Sequence, residues 1–265
     1  MDKRALKPNK LKLFSKRVKE SFKLRKRTNK WRRKNIETIE SNIIITCNNG
    51  RYFLCIPIKK KIPFFETKEN TVALDPGVRT FQTFYSERSA GKIGNGISNY
   101  LLGRGKRIDR LQSIIKTEEL EKQTKHNLRK RCSLLRTKIK NIINDLHWKT
   151  ANFLCKTYKN ILLPYFNVKE MIEKIPDKVR KISSTTVRNM LTLSHYKFKE
   201  RLKYMGEVRG NNVIICNEAY TTKTCGSCGN QQEIGGEKIY KCKKCGFELD
   251  RDYNGARNIY IKYMG

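Results

Sequence analysis

Four cysteines constrain this chain more than any other feature: Cys225 and Cys228, then Cys242 and Cys245, in the pattern C-x2-C-x13-C-x2-C. A glycine follows each pair, Gly229 and Gly246, so each pair can close into a tight knuckle. Two knuckles offer four thiolates to one tetrahedral Zn2+, and four sulfur ligands leave no position for water, so the expected zinc is structural. Paired disulfides or redox thiols fit less well, because the chain has nine cysteines and an odd number does not build a secreted disulfide framework. The remaining five, Cys47, Cys55, Cys132, Cys155 and Cys216, stand among apolar residues and read as small buried hydrophobes.

Charge narrows the partners. Lys and Arg number 59 against 24 Asp and Glu, a formal net charge of +35, which repels itself unless a polyanion offsets it. Nucleic acid is the expected partner, with no membrane and no small-molecule substrate. No stretch approaches the roughly 18 consecutive apolar residues of a spanning helix, and no signal-peptide pattern opens the chain, so an intracellular, soluble protein is expected. Residues 1–34 hold sixteen of the basic residues and only two acids, Asp2 and Glu20. This basic arm reads as a solvated segment, as a phosphate-binding one, or as a nuclear address in a eukaryotic host.

From residue 41 the texture becomes β-like. SNIIITC and RYFLCIPI flank the turn signal NNG and predict a hairpin. TVALD is a continuous apolar run ending in Asp75; PGVRT and the alternating QTFYS follow, predicting strand, tight turn on Pro76 and Gly77, and strand. Residues 106–160 predict two long helices. Leu128, Cys132, Leu135, Ile139, Ile142 and Leu146 recur at steps of four and three, one apolar helix face. NILLPYF predicts a strand, residues 178–205 a helical stretch, NNVIIC a strand ending before Glu218, and the segment after Asn254 and Gly255 a last helix. Strand pair, helices, strand, helix, strand, Cys module and helix make a mixed α/β chain.

Acids are scarce enough for position to matter. Asp75 closes a buried strand, and Asp250 and Asp252 flank Arg251 before the last helix. Strand-end carboxylates of this kind suit hard cations such as Mg2+ or Mn2+ and metal-assisted phosphodiester cleavage; a turn or cap role is the structural alternative. The three histidines, His126, His147 and His195, lie far apart in sequence and read as structural.

ALDPGVRTFQTFYS, NILLPYFNVKEM, NEAYTTKTCGSCG and IYKCKKCGFELDRDYNGARNIYIK, in that order and with the basic helical pair between them, resemble the TnpB/Fanzor family of transposon-encoded, RNA-guided DNA endonucleases. The resemblance runs from about residue 41 to the end. It implies an RNase H-like (RuvC-type) nuclease domain with an inserted helical pair and a small zinc ribbon, three Mg2+-binding acids, and DNA and guide RNA as partners. Position by position, the first acid is Asp75 and the third is Asp252, two residues before Asn254. The second acid of the usual pattern falls where this chain has Pro164 and Tyr165, neither able to ligate Mg2+. Fanzor-like members resemble this chain in using a glutamate just upstream of the zinc ribbon instead, which here is Glu218; Glu170 in NVKEM is the other candidate.

The resemblance divides the chain into a basic arm at 1–40, a remnant of an amino-terminal wedge-like β-domain at 41–68 and a nuclease core at 69–218. A zinc ribbon at 219–248 and the last motif and helix at 249–265 complete it. Relatives of this kind carry a fuller amino-terminal part than the roughly 70 residues before Asp75, so a shortened chain is expected. Two functions remain open on these residues: a metal-dependent DNA endonuclease using Asp75, Glu218 and Asp252, or a nucleic-acid-binding protein that has lost cleavage and kept the ribbon.

Overall fold

The computed structural model describes residues 69–166, 182–217, 221–235 and 237–264, together with 6–7, 10–12, 21–23, 42–48, 51–57, 168 and 171. Glu218 and Glu170 lie outside the described residues, as does the basic run 24–34. The chain divides into two compact units, Met1–Ile62 and Pro63–Gly265.

In the first unit, β1 (Leu6–Lys7), β2 (Lys10–Lys12) and β3 (Ser21–Lys23) form an antiparallel sheet inside the segment expected to be an arm. β4 (Ile44–Asn48) and β5 (Arg51–Cys55) form the expected hairpin, with Asn48 opposite Arg51. Cys47 and Cys55, expected buried, are exposed; among the described residues β4 and β5 pair with each other alone, and a two-stranded ribbon does not cover its own faces.

The second unit is built on one sheet. Its strands are β6 (Glu69–Pro76), β7 (Gln82–Ser86), β8 (Ala90–Ile93), β9 (Tyr158–Pro164) and β10 (Asn212–Cys216), in the spatial order β10-β9-β6-β7-β8. β6, β7 and β8 make an antiparallel meander, while β9 and β10 run parallel to β6. A three-stranded meander extended by two parallel strands on the side of its first strand is the RNase H-like arrangement. The continuous apolar run of β6 is explained by its central place: Val72, Ala73 and Leu74 are fully buried, as a strand covered on both faces requires. The β6–β7 turn needs its glycine, since a Cβ on Gly77 would lie 2.8 Å from the Thr80 carbonyl oxygen.

α1 (Ile97–Thr117) and α2 (Lys122–Thr157) are the helical pair. The boundaries differ from the expected 106–160 at both ends. Gly94 and Gly96, both at positive φ, turn the chain out of β8 and let the helix begin at Ile97. At the other end Tyr158 pairs with Glu69, so sheet pairing overrides the helical pattern. Cys132 of the predicted stripe is buried, and Ile139, Ile142 and Leu146 pack partly buried against the core. Fully buried instead are His147, Ala151 and Leu154, because a seven-residue repeat drifts around a helix of 3.6 residues per turn.

The expected single helical stretch at 178–205 is two helices, α3 (Ser184–Leu193) and α4 (His195–Arg209). The Ser183 side chain accepts the Thr186 N–H as N-cap of α3, and Ser194 breaks the path at φ +51. After β10 come the short strands β11 (Ile239–Lys241) and β12 (Glu248–Asp250), then α5 (Arg251–Met264).

Strand alternation sends Val72, Leu74, Ile161 and Leu163 into the core beneath the helices, with Leu154, Leu193, Phe198 and Leu202. Ala73 and Leu162 face the other way, toward Ile259 of α5. Each fully buried aliphatic or aromatic side chain contributes roughly 1.5–3 kcal/mol. Phe81 is stacked between two histidine rings, 5.0 Å from His147 and 5.2 Å from His195. The Arg201 guanidinium donates to His147 Nδ1 at 3.0 Å, so the ring proton sits on Nε2 and is donated to the Leu193 carbonyl at 2.8 Å. Burial, then the charges of Arg201 and Lys197, pull the His147 pKa down to about 4. His195 falls to about 4 chiefly by burial, with His147 adding to it. Among the described residues no helix is long and apolar enough to cross a membrane.

Candidate active site and metal centre

Asp75 stands at the end of β6 on the face that carries Ala73, so it points toward α5. The register aligns it with β7 and β8: Asp75 is opposite Thr83, and Thr83 is opposite Lys92. On the parallel side Ala73 is level with Leu162, which puts Asp75 level with Pro164, and Pro164 is paired with Cys216. Lys92, Thr83, Asp75, Pro164 and Cys216 therefore form one row across the sheet. A cavity of about 830 Å³ is lined by two members of this row, Asp75 and Lys92, by the β6–β7 turn, and by Thr222, Glu237, Asp250 and Asp252 among others.

The first turn of α5 closes the cavity. Asp250 caps the helix: its Oδ1 accepts the N–H of Asp252 at 3.1 Å and of Tyr253 at 3.4 Å. The helix thus starts at Arg251, and Asn254 and Gly255, expected to precede it, lie inside its first turns. Asp252 is half-exposed at the cavity, while Arg251, which the sequence left as one of many cations, donates to the Gly235 carbonyl at 2.8 Å.

Three neighbouring residues explain the Asn-Gly-Ala stretch. Gly255 is where Asp75 approaches the helix, since a Cβ there would stand 2.6 Å from Asp75 Oδ2. Asn254 donates to the Thr224 carbonyl at 2.9 Å and accepts the Gly226 N–H at 3.2 Å. Ala256 is fully buried. Asn258, one turn on, donates to the carbonyls of Thr221 and Thr224, both at 2.7 Å. Buried amides so placed fasten the Cys module to the same helix that carries Asp252.

Lys92 bridges the site from the β8 side. Its ammonium donates to Asp250 Oδ2 at 2.6 Å and lies 3.8 Å from Asp252 Oδ2, 5.2 Å from the Tyr253 ring centre. Burial works to lower its pKa, but the hydrogen bond and charge of Asp250, then the charge of Asp252, hold it above the ordinary lysine value. Sequence reasoning missed Lys92 and Glu237: one more lysine among so many cations carries no local signal.

The Cys module has the geometry expected for zinc. The four Sγ atoms all lie within 4.8 Å of one another, and the Cys225–Cys245 and Cys228–Cys242 separations are both 3.7 Å. A tetrahedron with Zn–S bonds of about 2.3 Å has edges of about 3.8 Å. Both knuckles are formed: Gly229 donates to the Cys225 carbonyl and Gly246 to the Cys242 carbonyl, each at 3.0 Å, and both glycines have positive φ. Backbone N–H groups, that of Cys245 first, lower the Cys242 thiol to about 6, while Cys245, despite the Phe247 N–H, is pushed up to about 12 by burial and the neighbouring thiols: sulfurs this close share negative charge poorly without a cation among them. Tyr240, Ile234 and Phe247 pack around the cysteines. The donor set and spacing fit one structural Zn2+.

Among the described residues this Cys set is the one group of three or more His, Cys, Asp or Glu close enough to share an ion. The structure brings Asp75 and Asp252 to one cavity; Glu218, expected as the second acid, lies outside the described residues, and so does Glu170. A second cleft, about 480 Å³, lies between α1 and α2 and is lined by Lys106, Arg107, Arg110 and Arg131. Arg188 pairs with Asp109 beside it.

Residues 56–174 match the family model described as a probable transposase, OrfB of IS605, and residues 195–259 match the Cas12f1-like TNB domain. The TnpB-like protein L79 of Acanthamoeba polyphaga mimivirus is 34% identical over 212 residues, covering 79% of this chain and 40% of the relative. The CRISPR-associated endodeoxyribonuclease Cas12f1 of Sulfoacidibacillus thermotolerans is 36% identical over 85 residues, 31% of this chain and 19% of the relative. Among solved structures, a CRISPR-Cas12f ternary complex matches with TM-score 0.50 and 18% identity, over 92% of this chain and 50% of that one. That likeness is one of fold. The chain spans about two fifths of the length of the viral relatives it matches.

Proposed function

The chain belongs to the TnpB family of transposon-associated proteins, and on that premise we propose that it is a metal-dependent DNA endonuclease directed by a guide RNA, with Asp75, Glu218 and Asp252 holding Mg2+ or Mn2+. The observation that carries the reading is the convergence of Asp75 and Asp252 on one cavity from opposite ends of the second unit, the first from the sheet and the second from α5. The donor set suits a hard cation, being carboxylate oxygen. Gly255 leaves the room that the Asp75 carboxylate occupies.

Glu218 follows the last residue of β10, Cys216, by two positions in sequence. Cys216 is the neighbour of Pro164 in the row that contains Asp75, so a glutamate just past β10 is suited to replace the acid that Pro164 removes. Asp75, Glu218 and Asp252 would hold the divalent ions, which when bound would supply an activated water and stabilisation of the leaving oxygen of a phosphodiester. The protein's own part is to fix the carboxylates: Asp75 is confined between β6 and Gly255, and Asp252 is held in a helix turn whose cap is Asp250. The basic cleft at Lys106, Arg107, Arg110 and Arg131, with the formal charge of +35, provides phosphate contacts for DNA and RNA.

The test is cleavage of plasmid and single-stranded DNA with Mg2+ or Mn2+, with and without co-purified RNA, by wild type and Asp75→Ala. Loss of cutting in the variant is expected; equal activity in the two refutes the assignment. Pro164, level with Asp75, favours a second reading in which the protein binds nucleic acid without cutting it. That reading predicts salt-sensitive binding and no scission with any metal.

A further inference from the structure

We infer that Lys92 is a resident counter-ion of the candidate metal site, holding the place of a divalent cation at Asp252 and setting the metal concentration at which the site fills. The inference rests on the reading of Asp75 and Asp252 as metal ligands. Lys92 is directed there by the sheet register, since Asp75, Thr83 and Lys92 sit opposite one another on three successive strands and paired residues share a face. Thr83, between them, is buried and uncharged. The ammonium therefore reaches the first turn of α5 from the strand side of the cavity.

Its two carboxylate contacts differ. Asp250 is fully engaged, with Oδ1 accepting two backbone N–H groups and Oδ2 accepting Lys92 at 2.6 Å, so this acid anchors the lysine. Asp252 lies farther off, at 3.8 Å, and keeps an oxygen for other partners. A divalent ion that takes Asp252 meets the Lys92 charge at close range. Like charges about 4 Å apart at a partly solvated site oppose each other by enough to shift a binding constant on the order of tenfold. Lys92 thereby stabilises the empty acid cluster and raises the metal threshold of the loaded one.

The experiment is titration of the zinc-loaded, full-length protein with Mn2+, followed by calorimetry and by the EPR signal of free Mn2+, for wild type, Lys92→Met, Lys92→Arg and Asp252→Ala. Thermal melts check that each variant is folded. Lys92→Met is expected to bind Mn2+ about tenfold more tightly than wild type, and Lys92→Arg, which keeps the charge, to stay within about threefold of it. Lys92→Met affinity equal to or weaker than wild type overturns the inference, since a purely structural anchor for α5 would weaken the site when removed. A wild type that binds no more Mn2+ than Asp252→Ala overturns the metal-site reading as well.

Discussion

The Asp75 carboxylate and the bare Cα of Gly255 occupy adjoining space: a Cβ on Gly255 would stand 2.6 Å from Asp75 Oδ2 and 3.6 Å from Thr222 Cγ2. A strand-end acid is thereby set by a glycine 180 positions later in α5.

Gly255→Ala separates site geometry from stability. In a free helix alanine would add roughly 0.5–1 kcal/mol; here the methyl group must displace the carboxylate. We expect a melting temperature near that of wild type and Mg2+-dependent cleavage slowed on the order of a hundredfold, the usual cost of a misplaced reacting group. Thermal melts alongside cleavage rates check it; wild-type rates would show that Asp75 tolerates the shift.

Asn258→Ala removes a donor that serves the carbonyls of Thr221 and Thr224. Each lost bond costs about 0.5–1.5 kcal/mol, and the Thr224 carbonyl keeps the Asn254 amide. Because those carbonyls begin the Cys module, limited proteolysis should cut faster within residues 221–248 than elsewhere, while urea denaturation reads the stability loss. Asn258→Asp, which sets a carboxylate against those two carbonyl oxygens in a buried place, should lose more stability than the alanine variant.

Cys225→Ser should abolish stoichiometric zinc, measured by metal analysis of the purified protein. The knuckle bonds at Gly229 and Gly246 then lose the ion that ties them together, and chelator treatment of wild type should reproduce the effect. Full zinc content in the variant would refute the four-sulfur site.

Acid should destabilise the second unit through His147 and His195. Both have pKa values near 4 in the fold against about 6.5 unfolded, so the unfolded chain binds more protons between those values. Stability is complete above about pH 6.5 and falls as pH drops toward 4, by about 3 kcal/mol for each histidine. Denaturation across that range checks it, and His147→Phe should flatten the slope. Protonation would also place a cation against Arg201, which donates to Nδ1.

Much of this protein is written in short-range pattern. The spacing of Cys225, Cys228, Cys242 and Cys245 identifies a tetrahedral sulfur site because knuckle geometry is local. The apolar run before Asp75 marks a central strand and its exposed end, and the order of strands and helices indicates the α/β class. Asp252 needed the resemblance to relatives, since an acid before a helix is usually a cap, the role that Asp250 takes here.

Other features exist only once the chain is folded. Lys92 reaches Asp250 across 158 positions of sequence, through a register that no local pattern encodes. Gly255 and Asn258 look like an ordinary helix glycine and amide until Asp75 and the Thr221 and Thr224 carbonyls are brought against them. The break at Ser194 follows from packing α3 and α4 around Phe81 and His147, and local propensity does not announce it. Periodicity and ligand spacing act over a few residues and are legible in the sequence. Which charges meet, and which side chain must be absent to let them, is settled by contacts between distant segments, and those only the tertiary structure decides.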